Sequence, residues 1–127
     1  MASRPKATAI KHSTSLRVSK QLLMRCDRAR QCEEIELAWR KTLSVHGIEK
    51  DSRLGYSIGV AYTPTWGERT ASIRRGDRTV LQTGVVFHLM AGLWLEDTGI
   101  TITQSFVVTE DGYEPLTKRA RDLIVKD

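Results

Sequence analysis

The segment 100–109, ITITQSFVVT, alternates apolar and polar side chains and predicts a β-strand, because successive side chains of a strand point to opposite faces. One face of this strand carries Ile100, Ile102, Gln104, Phe106 and Val108. The dipeptide Asp111-Gly112 follows it and is a strong signal for a tight hairpin. We therefore expect the chain to return through residues 113–116, and this order favours an antiparallel sheet.

Two further segments predict strands. Residues 56–62 alternate large and small side chains and end before Pro64, which cannot donate a backbone hydrogen bond to a ladder. A turn is expected at residues 74–77, RRGD. The segment 85–95 then predicts a long strand with a bend near Gly92, since glycine inside a strand often marks a bend or a close approach.

Residues 33–46, EEIELAWRKTLSVH, predict an amphipathic helix. Ile35, Trp39 and Leu43 recur at four-residue spacing and form one apolar stripe. Gly47 follows the helix and can adopt the left-handed conformation of a C-terminal cap. A helix followed by several strands predicts an α+β fold, with helices packed on a mostly antiparallel sheet.

Positive charge is concentrated in residues 1–30, which hold eight Lys or Arg residues and one acid, whereas the remaining residues carry a net charge of −2. We predict that this basic leader is flexible or lies outside the fold. A transit peptide is one alternative, because the leader is rich in Ser and Arg and poor in acids, and a wrongly joined upstream sequence is another. The globular domain is expected at residues 31–117, followed by a tail at 118–127.

Composition excludes several classes of protein. A chain of 127 residues fits one domain, and no apolar run reaches the roughly 18 residues of a membrane-spanning helix. Because the basic charge lies outside the domain, we expect no nucleic-acid partner. The lack of a long apolar run predicts no membrane partner. Cys26 and Cys32 have no cluster of further ligands, so we expect free thiols and a cytoplasmic location.

Three motifs, in this order, resemble the C-terminal half of the pita-bread superfamily, which includes methionine aminopeptidase, Xaa-Pro dipeptidase, creatinase and ectoine hydrolase. They are RLGYSIGVAYTPTWGE at 53–68, VVFHLMAGLWLED at 85–97 and ITITQSFVVTEDGYEPLT at 100–117. The GYSIG motif and the Phe-His pair at 87–88 are most similar to the ectoine hydrolase-like branch. The resemblance implies half of a pita-bread fold, in which helices pack on one side of a curved sheet and the concave side holds the site.

The resemblance also implies that the metal ligands are lost. Tyr56 stands where the family's GHGIG-type motif has its histidine, and Met90 stands where metal-dependent relatives have the glutamate of Glu-Pro-Gly. Gln104 takes the place of a second glutamate ligand, and a neutral amide is a poorer ligand for a hard divalent ion. The two aspartate ligands of the family precede the matching region. We therefore expect no metal and no other cofactor.

Six residues are candidates for a site. The catalytic candidates are His88, Glu68 and Gln104, and the substrate-binding candidates are Tyr56, Trp66 and Met90. His88 is either a proton-transfer group or a packed histidine, and Glu68 either binds a cationic or amidine group or is a solvated loop acid. Gln104 is polar on an apolar face, so it either faces a pocket or turns to solvent at an edge or bulge. Trp66 is an aromatic wall or a loop anchor, and Met90 lines a pocket or the core.

The resemblance implies the C-terminal part of a metal-independent C–N hydrolase of the creatinase and ectoine hydrolase kind. Its substrate would be a small cyclic amidine or an amino-acid derivative. The alternative is a non-catalytic pita-bread half that lost its ligands, either a fragment or a binding module. Because half of such a sheet leaves an unpaired edge, we expect a homodimer or a partner that supplies the N-terminal half.

Overall fold

The computed structural model describes residues 26–49, 51–60, 64–65, 67–95 and 98–119, except for the side chains of residues 67, 68, 95 and 98. Within these residues one helix precedes five strands. They are α1 (Cys32–Ser44), β1 (Gly55–Ile58), β2 (Gly67–Ile73), β3 (Val86–Leu95), β4 (Thr98–Val108) and β5 (Tyr113–Pro115). This arrangement confirms the predicted α+β class.

Both ends of α1 are capped by local hydrogen bonds. At the N-terminus, the Glu34 carboxylate accepts a hydrogen bond from the backbone N–H of Gln31 at 2.9 Å. At the C-terminus, Gly47 has a φ of 65°, as the sequence predicts. The backbone N–H of Ile48 then donates to the carbonyl oxygen of Leu43 at 3.2 Å, which is the long hydrogen bond of a Schellman motif.

The predicted apolar stripe of α1 is buried against the sheet. Ile35, Trp39 and Leu43 are each 1% exposed and belong to one core cluster with sheet residues. The sheet side of this cluster includes Ile73, Phe87, Leu89, Phe106 and Val108. Burying each large apolar side chain contributes about 1.5–3 kcal/mol, so this contact fixes α1 on the sheet.

The five strands form one antiparallel sheet in the order β2-β1-β3-β4-β5. The β3–β4 pairing is continuous from Val86 opposite Val107 to Leu95 opposite Thr98. Strand β1 lies close to β3, since a Cβ atom on Gly55 would be 2.6 Å from the carbonyl oxygen of His88. Glycine is therefore required at the start of β1 for this approach.

The register assigns each residue to one of two faces, because directly opposed residues of antiparallel strands share a face. One face carries the core and is covered by α1. We call the other the open face, and its central residues are Tyr56, His88, Met90, Thr103 and Ser105. In the described part of the chain, no helix lies on the open face.

The structure corrects two strand predictions. Residues 67–73 form β2, although the sequence predicted no strand between Pro64 and the turn at residues 74–77. Strand β1 ends at Ile58, whereas the alternating pattern predicted a strand to residue 62. Gly59 and Val60 are exposed and outside the ladder, and residues 61–63 lie outside the described residues.

The predicted boundary between leader and domain is also too late in the chain. Cys26 is fully buried in the core cluster. The backbone N–H of Ala29 donates to Leu81 at 3.0 Å, and that of Leu81 donates to Arg30 at 2.8 Å. Residues 26–30 therefore belong to the fold. Residues 1–25 of the leader and 120–127 of the tail lie outside the described residues.

Among the helices formed by the described residues, none has both the length and the apolar character that a bilayer-spanning helix requires.

Candidate functional site

Three neighbouring strands place three polar or aromatic side chains in one row on the open face. Tyr56 of β1 is opposite His88 of β3, and His88 is opposite Ser105 of β4. Because β1, β3 and β4 are the three central strands, hydrogen-bonded ladders fix the row on both sides of His88. We call Tyr56, His88 and Ser105 the central row.

His88 is bonded to its neighbour on β4. Its Nδ1 lies 3.0 Å from the hydroxyl oxygen of Ser105. Within the described part of the chain, Nδ1 is the ring nitrogen of His88 with a hydrogen-bond partner, and Nε2 has none there. Burial lowers the pKa of His88 below its usual value, which favours the neutral imidazole near pH 7. A neutral imidazole can accept a proton at one nitrogen.

Tyr56 fills the other side of the row. Its ring centroid is 5.6 Å from that of His88, with the two planes tilted by 51°. The guanidinium carbon of Arg53 lies 4.5 Å from the Tyr56 centroid, in cation–π geometry. Tyr56 is buried, and its ring lies beside His88 on the β1 side.

A second row lies one pleat further along β3. Met90 is opposite Thr103, and both belong to the open face. Gly92 and Thr101 form the next pair. At the end of the strands the Trp94 side chain is 71% exposed and lies over Gly99, where an added Cβ atom would be 2.8 Å from the indole. The face therefore changes from a polar centre to an exposed aromatic end.

Gln104 does not join this face. It is opposite Leu89, shares the core side of the sheet and is 4% exposed. Its Nε2 donates to the carbonyl oxygen of Ser105 at 2.8 Å and to the hydroxyl of Thr117 at 3.0 Å. The alternative of an edge residue turned to solvent is therefore wrong, and the register separates Gln104 from the open face that carries His88 and Met90.

The two remaining candidates are not located as side chains. Glu68 is the second residue of β2, so it is not a loop residue as the sequence suggested, and its side chain is outside the described atoms. Trp66 lies outside the described residues altogether. The roles predicted for both stay predictions.

Ser105 and Thr103 are the open-face residues that sequence reasoning missed. The signal was present, because the alternation that assigns Ile102 and Phe106 to one face assigns Thr101, Thr103 and Ser105 to the other. In β4 the polar positions, which are usually read as merely solvated, are the ones that meet His88 and Met90.

The residues of the two rows do not fit a two-metal site. A pair of hard divalent ions needs carboxylates that bridge them, whereas the central row offers a phenol, an imidazole and a hydroxyl, and the second row a thioether and a hydroxyl. Across the residues that the structure describes, no three His, Cys, Asp or Glu side chains are grouped as metal ligands. No step of a mechanism is therefore assigned to a metal here.

Solved structures show the same fold. The chain is similar to the X-Pro aminopeptidase from Thermotoga maritima with a TM-score of 0.83 and 25% identity, covering 94% of this chain and 33% of that one. It is similar to dipeptidase PepE from Mycobacterium ulcerans with a TM-score of 0.82 and 22% identity, covering 93% of this chain and 31% of that one. These neighbours confirm the predicted half of a pita-bread fold.

Curated proteins are similar at higher identity. The uncharacterized hydrolase/peptidase y4tM of Sinorhizobium fredii is 75% identical over 96 residues, which is 76% of this chain and 24% of that protein. Ectoine hydrolase of Halomonas elongata is 45% identical over 94 residues, which is 73% of this chain and 24% of that protein. The chain thus spans about a quarter of the length of these relatives.

A family profile covers most of the chain. The metallopeptidase family M24 matches residues 4–110. The match begins inside the segment predicted as a leader, so the family's sequence pattern extends upstream of the boundary expected at residue 31. With the fold, the motif order and this match in agreement, the chain belongs to metallopeptidase family M24.

Proposed function

We propose that this chain supplies part of the site of a metal-independent C–N hydrolase that acts on a small cyclic amidine or amino-acid derivative. The observation that carries the proposal is the central row, in which a neutral His88 lies between Tyr56 and Ser105. The 45% identity to an ectoine hydrolase supports the choice of bond and substrate class. The mismatch between both rows and a two-metal site supports a mechanism without metal.

His88 acts as the proton-transfer group. A water molecule attacks the carbon of the scissile C–N bond, and Nε2 of His88 accepts a proton from that water as the C–O bond forms. The same nitrogen then delivers the proton to the departing nitrogen as the C–N bond breaks. As the carbonyl group forms, the hydroxyl proton of the tetrahedral intermediate is released to solvent, and solvent returns one proton to the product nitrogen. The protons therefore balance over one cycle, and no oxidant or reductant is needed.

The other candidates take supporting roles. Tyr56 lies beside His88 on the neighbouring strand β1, and Met90 is the next open-face residue along β3. Both contact the substrate. Glu68 binds the cationic end of an amidine, and Trp66 gives it an aromatic wall. Gln104 holds strand β4 from the core side rather than touching the substrate, because its amide is directed to Ser105 and Thr117.

A chimera tests the proposal. Residues 26–119 of this chain replace the aligned region of the Halomonas elongata ectoine hydrolase, and the loss of ectoine is followed by NMR with a chelator present. We expect turnover that His88→Ala abolishes and that His46→Ala, at the exposed end of α1, leaves unchanged. Full activity of His88→Ala, or activity only after metal is added, would overturn the proposal.

A non-catalytic binding module is the second candidate. It is favoured by the same central row, because the row contains no carboxylate that could activate water or bind a metal. Binding of ectoine by the chimera without any turnover, with affinity lost in Tyr56→Ala, would support this alternative.

A further inference from the structure

Ser105 takes part in three hydrogen bonds, two through its carbonyl oxygen and one through its hydroxyl. Its carbonyl oxygen accepts a hydrogen bond from the backbone N–H of Leu116 at 2.9 Å and another from the Gln104 amide at 2.8 Å. Its hydroxyl lies 3.0 Å from Nδ1 of His88. Two hydrogen bonds therefore hold the backbone that carries this hydroxyl, one from Leu116, the residue after β5, and one from the buried amide of Gln104.

We propose that Ser105 is a positioning residue that accepts a hydrogen bond from the Nδ1–H of His88 and thereby leaves Nε2 as the proton-accepting nitrogen. This inference rests on the proposed function of His88 as a proton-transfer group. It assigns a task to a residue that the motif order alone does not single out.

The chemistry of the two groups allows this direction of the bond. A serine hydroxyl has two acceptor lone pairs as well as its proton, so it can accept from the imidazole and still donate to solvent. The partner of one ring nitrogen decides which nitrogen of a neutral histidine carries the proton. Ser105 is half-buried rather than enclosed, so solvent is within reach of its own proton.

The surroundings of His88 leave Ser105 as the group that can select the tautomer. On the β1 side the neighbour is the ring of Tyr56, at a centroid distance of 5.6 Å. Arg53 lies beyond Tyr56, against its ring. Along β3, the next side chain on this face is the thioether of Met90. For the described residues, the hydrogen bond of the imidazole is to Ser105.

The tautomer can be measured directly on the full chain. The protein is labelled with ¹⁵N-histidine, and long-range ¹H–¹⁵N correlation spectra at neutral pH identify which nitrogen of each ring is protonated. The chain has three histidines, and His88→Asn identifies the signals of that residue. We expect His88 with the proton on Nδ1. In Ser105→Ala, the tautomer of His88 with its proton on Nε2 should become more populated. Ser105→Thr keeps a hydroxyl, so His88 should again carry its proton on Nδ1.

Thr103→Ala is the matched control, because Thr103 lies on the same face of the same strand but opposite Met90. It should leave the His88 signals unchanged, and backbone spectra of every variant show that the fold is kept. A wild-type His88 with its proton on Nε2, or an unchanged tautomer in Ser105→Ala, would each overturn the proposal.

The measurement needs no turnover, so it separates the two proposals. If Ser105 controls the tautomer and the chimera is inactive, the positioning role stands and the proposed hydrolysis fails. In an active chimera, Ser105→Ala should lower kcat more than it changes KM, and Ser105→Thr should recover kcat.

Discussion

At the scale of single residues, the neighbours Gln104 and Ser105 of β4 differ in burial and in hydrogen bonding. Gln104 is buried on the core side and donates both of its described hydrogen bonds, whereas Ser105 presents its hydroxyl to His88. A buried amide is stable there because its donors are satisfied, and an acceptor in the same place would face the carbonyl oxygen of Ser105. The residue type at position 104 therefore matters for stability first.

We predict that Gln104→Glu destabilises the protein by about 1–3 kcal/mol, because a carboxylate cannot donate to the Ser105 carbonyl and leaves that bond unmade. Urea unfolding at neutral pH measures the change. Thr103→Glu is the matched control, since Thr103 is exposed on the opposite face, and should stay within about 0.5 kcal/mol. Equal losses in the two variants would contradict the assignment of faces.

A second prediction concerns pH. Burial holds the pKa of His88 in the folded protein below its unfolded value of about 6.5. At pH values between these two pKa values, the unfolded chain therefore binds more protons than the folded protein. The contribution of His88 to the free energy of unfolding is therefore fully present above the unfolded pKa. It is lost as the pH falls through the folded pKa. Asn in place of His88 should therefore flatten the dependence of the free energy of unfolding on pH at the acid side. Parallel pH profiles for the wild type and His88→Asn would disprove this.

At the scale of elements, prediction from sequence succeeded where one strong pattern acts alone. The apolar stripe of Ile35, Trp39 and Leu43 predicted α1, and the alternation in 100–109 predicted β4. Strand β2, GERTASI, was missed because all of its residues except Ile73 are small or polar, so its order comes from pairing with β1. The candidate site was predicted from the order of motifs, which identified His88, while only the register could show that Ser105, not Gln104, is its partner.

We predict that Trp39→Ala lowers the free energy of unfolding by about 3–5 kcal/mol, since the side chain is 1% exposed in the contact between α1 and the sheet. Leu37→Ala on the same helix is the control, because Leu37 is 48% exposed and should change stability by less than about 1 kcal/mol. Chemical denaturation measures both. A small effect of Trp39→Ala would mean that α1 does not hold the core together.

At the scale of the whole molecule, the described residues form a sheet with one side covered and the other open. The core side is closed by α1, while the open face ends in Trp94 with 71% of its surface exposed. The edge strands β2 and β5 also flank the sheet without a further strand among the described residues. An exposed aromatic end and open edges favour association with another sheet.

We therefore predict that the chain forms a homodimer, or aggregates, at micromolar concentration, as judged by light scattering. Trp94→Lys should weaken the association, because it places a charge on the exposed end of the open face. Val45→Lys, which also adds a charge at an exposed apolar residue but on the helix side, should not. A stable monomer of 14.3 kDa with cooperative unfolding would contradict this prediction.

The composition of both rows also predicts the response to metals. Purified protein should hold no stoichiometric Mn²⁺, Co²⁺ or Zn²⁺ by elemental analysis, because the two rows offer a single imidazole and no carboxylate beside poor ligands such as a thioether and hydroxyls. The double change Met90→Glu with Thr103→Glu places two carboxylates opposite each other on the open face and should raise retention of Mn²⁺. A measured content of two metals per wild-type chain would contradict the conclusion that the two rows do not fit a two-metal site.

The alternation along β3 has a consequence for how such a protein can diverge. His88 and Met90 belong to the open face, while Phe87 and Leu89, their immediate neighbours, are buried in the core. Substitutions at 88 and 90 can thus change the chemistry of the open face with little effect on core packing. Substitutions at 87 and 89 are constrained because they would disturb the core. A lineage built on this strand can abandon one chemistry and acquire another by a few steps, each of which still leaves a folded protein.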